Sequence, residues 1–467
     1  MSARPTNRVL MLCHPFPPTG GAGVQRSTKF VKFLPEHGWQ PIVLTVRDGI
    51  YRVRDESLLR DIPPGTPIIR TGTFEPSEAA AVASRGESDL TVSPEHARGA
   101  PPLRPQPRGR TLQDRLGALV VKRRIEKPFG ATYPRELARS LYRLAIVPDR
   151  QLLWIPRAFP AALAAVRAWQ PRVIYATGNP YSSFLLSRLI AVATRLPYVL
   201  DFRDPWTLNR YSWRYQPGAD RRRAAIERWQ ESWALAGASA AIFMSRQVHG
   251  DYSVAYPRLA HRFHVLPNGF DLDDVADAAP VALEGFPLVH VGKLMPYRPP
   301  DPFLAGLAHA VRADPAFSQV ARAYFVGDWR PEHQAAADRF GVGSLVRSIP
   351  YLPHREAIGH LRAAGVLLLI GGGDASEQPG KLFEYLAAER PIVAIAPREG
   401  AIADVLRETG GGRIIEPSDI AGIGESLLEI WRSGVASSTH RPEGVAVYDR
   451  RRQSGQLAKI LQSVCAR

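Results

Sequence analysis

A chain of 467 residues exceeds the usual size of a single compact core, so its length predicts two large domains. Apolar residues make up 45% of the chain and charged residues 22%, which excludes overall disorder and is typical of a soluble protein with a buried core. The formal net charge of +16 favours an anionic partner: nucleotide phosphates, nucleic acid or an anionic membrane.

Cysteine usage and the apolar runs predict the compartment. Cys13 and Cys465 lie at opposite ends of the sequence and offer neither a disulfide framework nor a metal-ligand spacing, which favours a reducing compartment. The apolar run at residues 9–13 is too short for a signal peptide. No run approaches the roughly 18 to 20 apolar residues that span a bilayer. We therefore expect a cytoplasmic protein.

Strand-like apolar runs alternate with helical patterns in the first half of the chain, which predicts a parallel sheet covered by helices. The predicted strands are residues 8–14, 41–46, 67–70, 173–177, 198–202, 240–244 and 263–266. The first helix follows the first strand and ends near Gly38, and further helices are predicted at 161–169, 183–194 and 224–238.

The second half repeats this rhythm after an acidic, alanine-rich linker at residues 271–287. Its predicted strands are residues 288–291, 323–326, 346–349, 366–370, 392–396 and 413–415, with a closing helix at 448–464. The fold class is therefore α/β, with two Rossmann-like doubly wound domains that face each other across a cleft. We place them at residues 1–275 and 286–445, followed by a closing C-terminal segment at 446–467.

A basic, low-complexity segment interrupts the first predicted domain. Residues 77–107 are rich in Ala, Ser, Pro, Gly and Arg without a clear period, which indicates a flexible insertion around residues 76–145. The apolar neighbours of Lys122, Arg123 and Arg124 fit a basic amphipathic helix on a membrane surface, and a solvated basic helix fits them equally. No recognised RNA or DNA module is present, so we do not expect a nucleic-acid partner.

A glycine-rich turn follows the first predicted strand and leads into the first helix. Gly20, Gly21 and Gly23 let backbone amides approach an anion or a sugar, and the helix start beyond them adds partial positive charge. The turn lacks the spacing of a dinucleotide fingerprint and the lysine of a phosphate-binding P-loop. A tight connection without a ligand therefore remains an alternative.

Basic residues flank the end of the first strand in the second half. Gly292 and Lys293 follow that strand, and Arg298 comes five positions after Lys293. Two cations at a strand end can neutralise a leaving diphosphate through charge-assisted hydrogen bonds, unless they are solvated surface charges. Further on, Lys381 opens a helix whose amides can hold phosphate, and Glu384 is either a ribose ligand or a plain helix-start acid.

Polar residues also follow two predicted strands of the first half. Asp201, Arg203 and Asp204 come at the end of one strand, where Asp204 can contact an acceptor hydroxyl or the donor sugar. An ion pair between Asp201 and Arg203 that braces the loop is the alternative. Asn179 follows a neighbouring strand and either lines the same cleft or belongs to a helix cap.

In this order and spacing, the segments resemble glycosyltransferase family 4, whose members have the GT-B fold. The resemblance rests on residues 19–23, 201–206, 266–271, 292–294 with Arg298, and 380–388. It implies an enzyme that moves a sugar from a nucleotide-sugar donor to an acceptor hydroxyl. It further implies retention of configuration, no metal and no other cofactor. By analogy alone, the acceptor is a glycan or a lipid-linked molecule in cell-surface glycan or glycolipid synthesis.

The resemblance also assigns roles. Lys293 and Arg298 contact the donor diphosphate, in the reverse of the family's usual order of Arg before Lys, and Asp204 joins them as a catalytic candidate. The implied donor-binding residues are Gly292, Glu377, Lys381, Leu382 and Glu384. Acceptor-side candidates are Asn179, Asp201 and Arg203, beside the cleft loop of Gly20, Gly21 and Gly23.

One departure from the family keeps a second function open. The family carries two glutamates eight positions apart; Glu384 matches the second, whereas Ser376 stands at the first and Glu377 follows it. The donor sugar is therefore not identified, and a scaffold that binds a nucleotide sugar or a partner without turnover remains an alternative. An oxidoreductase is disfavoured because no dinucleotide fingerprint follows a predicted strand. Peripheral contact with the inner face of an anionic membrane is a further expectation.

Overall fold

The computed structural model describes residues 7–47, 54–75, 146–209, 220–372, 375–434 and 444–466. The predicted insertion at residues 76–145, with its basic amphipathic helix, lies outside these ranges. Within them, no helix is both long and apolar enough to cross a membrane.

The first sheet is parallel throughout and has the strand order β3-β2-β1-β4-β5-β6-β7. Its strands are β1 (Asn7–Leu12), β2 (Trp39–Val46), β3 (Ile68–Thr71), β4 (Val173–Gly178), β5 (Tyr198–Phe202), β6 (Ala240–Phe243) and β7 (Phe263–Val265). Helices cover both faces: α1 (Ala22–Phe33), α2 (Ile155–Trp169), α3 (Ser182–Thr194), α4 (Arg221–Ala236) and α5 (Arg246–Ala255). The central strands are apolar runs because each is buried on both sides.

The second sheet is also parallel, in the order β10-β9-β8-β11-β12-β13. The short helix α6 (Leu272–Ala276) precedes it. Its strands are β8 (Phe286–Lys293), β9 (Ala321–Asp328), β10 (Val346–Ile349), β11 (Val366–Ile370), β12 (Ile392–Ile395) and β13 (Arg413–Ile415). Its helices are α7 (Asp301–Ala313), α8 (Pro315–Val320), α9 (Pro331–Arg339), α10 (His354–Arg362), α11 (Lys381–Ala387), α12 (Ala401–Thr409) and α13 (Ile420–Arg432).

Both sheets reverse their strand order at equivalent places. The first reverses between β1 and β4, and the second between β8 and β11. Ligands of such sheets bind outside the carboxyl ends of the strands at this reversal. The predicted fold class, two doubly wound sheets facing across a cleft, is confirmed.

The last helix, α14 (Arg450–Cys465), returns to the first sheet. Its buried residues Leu457 and Leu461 join the same apolar core as Met11 and Phe30. The chain enters α14 beside the end of the first half, where the backbone N–H of Arg450 donates to the carbonyl of Phe270 at 2.8 Å. The chain thus crosses the cleft a second time, so residues of α14 can reach it.

Predicted and observed elements differ mainly where local pattern is weak. Helix α2 begins at Ile155 rather than 161, and it accommodates Pro160 inside the helix. Helix α5 has no counterpart among the predictions because it is polar and contains Gly250; the packing of Val248 and Tyr252 stabilises it instead. The stretch expected to be an irregular linker contains α6.

Candidate functional site

A polar cavity of about 430 Å³, here called the main cavity, lies between the two sheets. Gly23 and Arg203 line it from the first sheet's side, Arg298 and Glu384 from the second's, and Arg450 from α14. Three separate parts of the chain therefore contribute charged side chains to one space.

The structure brings about half of the predicted site residues to this cavity. Its lining includes these predicted residues: Gly23, Asn179, Arg203, Asp204, Arg298, Glu377 and Glu384. It does not include Gly20, Gly21, Asp201, Gly292, Lys293, Lys381 or Leu382. Of these, Lys293 is exposed at the end of β8, and Leu382 is fully buried in the second half's core.

The glycine turn before α1 makes room for Arg203. Gly21 has φ +110°, a conformation that side chains rarely adopt. A Cβ atom on Gly23 would overlap the Arg203 guanidinium. That guanidinium is fixed on its other side, because Nε donates to the carbonyl of Gly178 at 2.8 Å and Nη2 donates to the carbonyl of Asn179. The turn thus positions a cation at the cavity wall.

Asp201 is bound by Arg26 of α1, so the alternative pairing with Arg203 does not occur. Arg26 donates from Nε and Nη2 to the Asp201 carboxylate at 2.8 and 2.9 Å, and the Tyr175 hydroxyl donates to it at 2.5 Å. The Asp201 side chain is completely buried. Burial alone would lower the pKa of Arg26, but Asp201 outweighs this and raises it. This carboxylate therefore has a structural role and does not face the cavity.

Asp204 is the carboxylate of this loop that does face the cavity. Its side chain is open to the cleft. The surrounding protein atoms nevertheless raise the pKa of its carboxyl group, and the charge of Arg203 opposes that effect. Asp204 is thus placed to contact a ligand hydroxyl, as a charged acceptor or as an acid.

Glu384 is held in its charged form at the second half's side of the cavity. Its carboxylate accepts from Lys381 Nζ at 2.8 Å and lies 3.0 Å from His354 Nε2. Burial alone would raise the pKa of Glu384, but the charges of Lys381 and His354 lower it well below its usual range. A buried carboxylate of this kind is a strong acceptor for ligand hydroxyl groups.

Arg298 forms an ion pair with Glu377 across the cavity's edge. Glu377 is anchored by the backbone N–H of Gly372, which donates to Oε2 at 2.8 Å. Ser376, beside Glu377, also lines the cavity. The loop after β11 therefore brings Ser376 and Glu377, where the sequence departs from the family pattern, to the same cavity as Arg298, the predicted phosphate-binding residue.

An acidic cluster around Lys29 joins α1 to α6. Lys29 Nζ lies 2.7 Å from each of the carboxylates of Asp61, Asp271 and Asp274. These three acids are close enough to share a cation, and the lysine ammonium lies among them. Sequence reasoning missed the cluster because Asp61 is far from the other two in the chain.

The sequence offered no signal for three further residues of the site. Arg26 is one of several basic residues in α1, His354 begins a helix of the second half, and Arg450 is the first residue of α14. Each becomes important only through a contact with a distant part of the chain. Arg450, which lines the cavity, is 5% exposed.

Comparison with known proteins gives a family match for part of the chain. The model of Glycosyltransferase Family 4 matches residues 120–274. Over these residues, about a third of the chain, the protein is similar to glycosyltransferase family 4. The sequence resemblance is thereby confirmed, and the protein is an enzyme of the glycosyltransferase class. The match begins at residue 120, inside the segment predicted as an insertion. No curated protein matches the sequence.

Solved structures share the fold. HepE from Anabaena, in complex with UDP and glucose, aligns over 98% of this chain and 100% of its own at 16% identity, with a TM-score of 0.57. Sucrose-phosphate synthase from Thermosynechococcus elongatus aligns over 98% and 96% at 13% identity, with a TM-score of 0.55. WaaG, a glycosyltransferase involved in lipopolysaccharide biosynthesis, aligns over 98% of both chains at 12% identity, with a TM-score of 0.50. At these identities the likeness shows the GT-B fold alone.

Replacing Asp201 by Asn tests the structural role of the buried pair. The substitution keeps the shape but leaves the Arg26 charge buried without its counter-ion, so we expect the free energy of unfolding to fall by about 3–5 kcal/mol. Guanidinium-induced unfolding followed by tryptophan fluorescence measures this change. Glu425→Gln, a neutralising change at an exposed position, serves as the control and should be within about 0.5 kcal/mol of the unmodified protein. Equal stability of both variants would contradict the assigned role.

Proposed function

We propose that this glycosyltransferase is retaining and metal-independent, and that it transfers a sugar from a nucleotide-sugar donor to an acceptor hydroxyl. One observation carries the proposal: Arg298 and Glu384 from the second half share a cavity with Arg203 and Asp204 from the first. This arrangement supports donor binding on one wall and acceptor binding on the other. The acceptor that we propose is a glycan or a lipid-linked molecule of cell-surface glycan synthesis, by analogy with WaaG, which is involved in lipopolysaccharide biosynthesis.

The proposed chemistry is electrostatic. Glu384 accepts hydrogen bonds from the donor ribose, and Arg298 stabilises the charge that develops on the leaving diphosphate. The leaving diphosphate takes the proton of the acceptor hydroxyl on the same face of the sugar, so no protein nucleophile is required. Arg298 must exchange Glu377 for phosphate oxygens when the donor binds. Lys293 contributes a second cation once its exposed side chain turns towards the cavity.

Metal independence is supported by the charge balance of the acidic cluster. Asp61, Asp271 and Asp274 offer carboxylate oxygens, the ligand type that divalent cations prefer, and these oxygens are close enough together to share one ion. The ammonium group of Lys29 already neutralises part of their charge at 2.7 Å. Within the described part of the chain, this is the acidic group that meets the distance requirement for a cation site. We therefore assign diphosphate neutralisation to protein cations.

A scaffold that binds without turnover is the second candidate. Ser376 stands where the family has its first glutamate, and Glu377 is engaged with Arg298. If Glu377 cannot leave Arg298, a nucleotide sugar can bind without being activated. The two candidates differ in one measurable product, the released nucleoside diphosphate.

A donor screen separates the two candidates. Thermal unfolding in the presence of UDP, GDP, ADP and dTDP should show stabilisation by at least one of them, because a ligand that binds only the folded state raises the unfolding temperature. UDP is the first probe, since HepE was crystallised with it. Sugars carried by the stabilising nucleotide are then tested for release of nucleoside diphosphate with and without EDTA. Binding without release favours the scaffold, and loss of release with EDTA contradicts metal independence.

Arg298→Ala tests the assigned role in the leaving-group charge. We expect turnover to fall by about a hundredfold or more, because a preorganised cation next to developing charge contributes on this scale. Release of nucleoside diphosphate under saturating donor measures the rate. Arg312→Ala, which removes an exposed arginine of α7, is the matched control and should keep full turnover. A folded Arg298→Ala enzyme with unchanged turnover would remove Arg298 from the mechanism.

We further propose peripheral contact with the inner, anionic face of the cell membrane. Residues 104–143, the part of the predicted insertion that is rich in Arg and Lys, favour such contact, and an exposed surface of α3 and α4 supports it. There, Val192 is 64% exposed and lines a surface cavity with Arg188 and Arg195. Trp229 is 65% exposed and stacks on Trp233, whose ring centre lies 5.6 Å from the Arg188 guanidinium. Exposed aromatic and basic side chains together are typical of surfaces that bind anionic lipid.

Vesicle binding tests the membrane proposal. Co-sedimentation with phosphatidylglycerol-containing vesicles should weaken as salt rises from low to physiological concentration, and it should weaken again when residues 104–143 are deleted. Trp229→Ala should reduce binding further, whereas Val254→Ala, at an 83% exposed position of α5, should not. Vesicles of phosphatidylcholine alone provide the neutral control. Equal binding after the deletion rules out docking by the basic segment.

A further inference from the structure

Arg450 is a buried cation whose direct partners in the protein are neutral. Its side chain lines the main cavity and also a smaller cavity beside it, which Gln25 and Glu384 line as well. Nη1 donates to Gln453 Oε1 at 2.9 Å and Nη2 to Asn268 Oδ1 at 3.4 Å. Among the residues that the structure describes, no carboxylate lies within ion-pair distance of this guanidinium.

The nearest acids already have other partners. Asp201 is bound by Arg26, and Glu384 is bound by Lys381 and His354. Burial lowers the pKa of Arg450 to about 9, the charge of Arg26 adds to this effect, and Asp201 opposes it. Burying a charge without a counter-ion is unfavourable unless another partner compensates. A bound anion would provide that compensation.

Resting on the proposed function, we propose that Arg450 binds a phosphoryl oxyanion of a ligand in the main cavity. A guanidinium presents N–H donors in a planar fork that matches phosphate oxygens, and Gln453 with Asn268 holds this fork in place. The phosphoryl group belongs either to the donor diphosphate or to an anionic acceptor. Both sources present the same oxygens to Arg450.

The position of Arg450 in the chain gives this contact a further consequence. Helix α14 packs on the first sheet, while Arg450 shares the smaller cavity with Glu384 of the second half. An anion bound to Arg450 therefore contacts a residue that is fixed to the first sheet. Arg298, by contrast, belongs to the second half, so an anion that contacts both arginines would connect the two halves.

Anion affinity tests the proposal directly. Arg450→Gln should weaken the binding of inorganic pyrophosphate, measured by isothermal titration calorimetry, by about 10- to 100-fold, the contribution expected of a charge-assisted hydrogen bond. Arg450→Lys should retain part of the affinity because it keeps the charge but not the fork. The control is Arg452→Gln, an exposed position of the same helix, which should bind like the unmodified protein.

Two further titrations distinguish the sources. If Arg450 contacts the donor, Arg450→Gln weakens the binding of the nucleoside diphosphate found in the donor screen. If it contacts the acceptor, that affinity is unchanged and the binding of inorganic phosphate to the nucleotide-saturated enzyme falls instead. Equal affinity of the folded variant and the unmodified protein for all three probes overturns the proposal. Failure of the unmodified protein to bind any of them overturns it as well.

A second variant guards against misfolding of Arg450→Gln. Gln453 is fully buried behind Arg450 and does not line the main cavity. Gln453→Glu should place a counter-ion on the guanidinium while Arg450 itself is kept, so pyrophosphate binding should weaken there too. Unchanged pyrophosphate binding in a folded Gln453→Glu protein contradicts the proposal. Because these affinities are measured without turnover, an enzyme that transfers no sugar leaves the test intact.

Discussion

The buried pair of Arg26 and Asp201 holds together three segments of the first half that border the cleft. Arg26 bonds to the Asp201 carboxylate with two nitrogens and also donates to the carbonyls of Leu266 and Pro267 at 2.9 and 2.8 Å. One side chain thereby joins α1, the end of β5 and the segment after β7. Such a pair is stable only when its geometry is nearly complete, because two charges have left water. Asp201, which lies within β5, therefore has a structural role, and Asp204 is the acid of this segment that faces the cavity.

Helix α1 also connects the first sheet to the donor side. Lys29, one turn after Arg26, binds Asp271 and Asp274 around the start of α6. His354 of α10 continues the connection, since its ring nitrogens lie 3.8 Å from Asp274 and 3.0 Å from Glu384. A chain of charged contacts thus runs from the first sheet's helix to the carboxylate that we assign to the donor ribose. Movement of one half against the other would have to rearrange these contacts, so closure of the cleft and the orientation of Glu384 are physically linked.

The sequence predicts the elements that depend on short-range patterns of apolar and turn residues. Each predicted strand is present because apolar runs between turn signals leave little choice in a parallel sheet. Contacts between distant side chains cannot be predicted in this way. Arg26 and Asp201 are 175 residues apart, and no local pattern around either residue indicates that they pair. The closing helix was predicted, but the apolar stripe containing Leu457 and Leu461 does not say which sheet it covers. For the same reason, their spacing predicts that Lys293 and Arg298 act together at one site. In the structure, only Arg298 lines the cavity, and Lys293 is exposed at the end of β8.

Charge pairing in and beside the cavity decides how an anionic donor can bind. Arg298 is paired with Glu377, and Lys381 with Glu384. Phosphate oxygens that approach either cation must therefore displace its carboxylate or bind the cation together with it. A diphosphate carries more charge than one carboxylate, which favours the exchange, but the displaced acid must then find water or a sugar hydroxyl. Glu377 lies where the donor sugar is expected, beside Ser376. In the binding mode proposed above, donor phosphates that take over Arg298 would leave Glu377 to accept a hydrogen bond from that sugar. Glu377 would then replace the missing family glutamate only when the donor is in place.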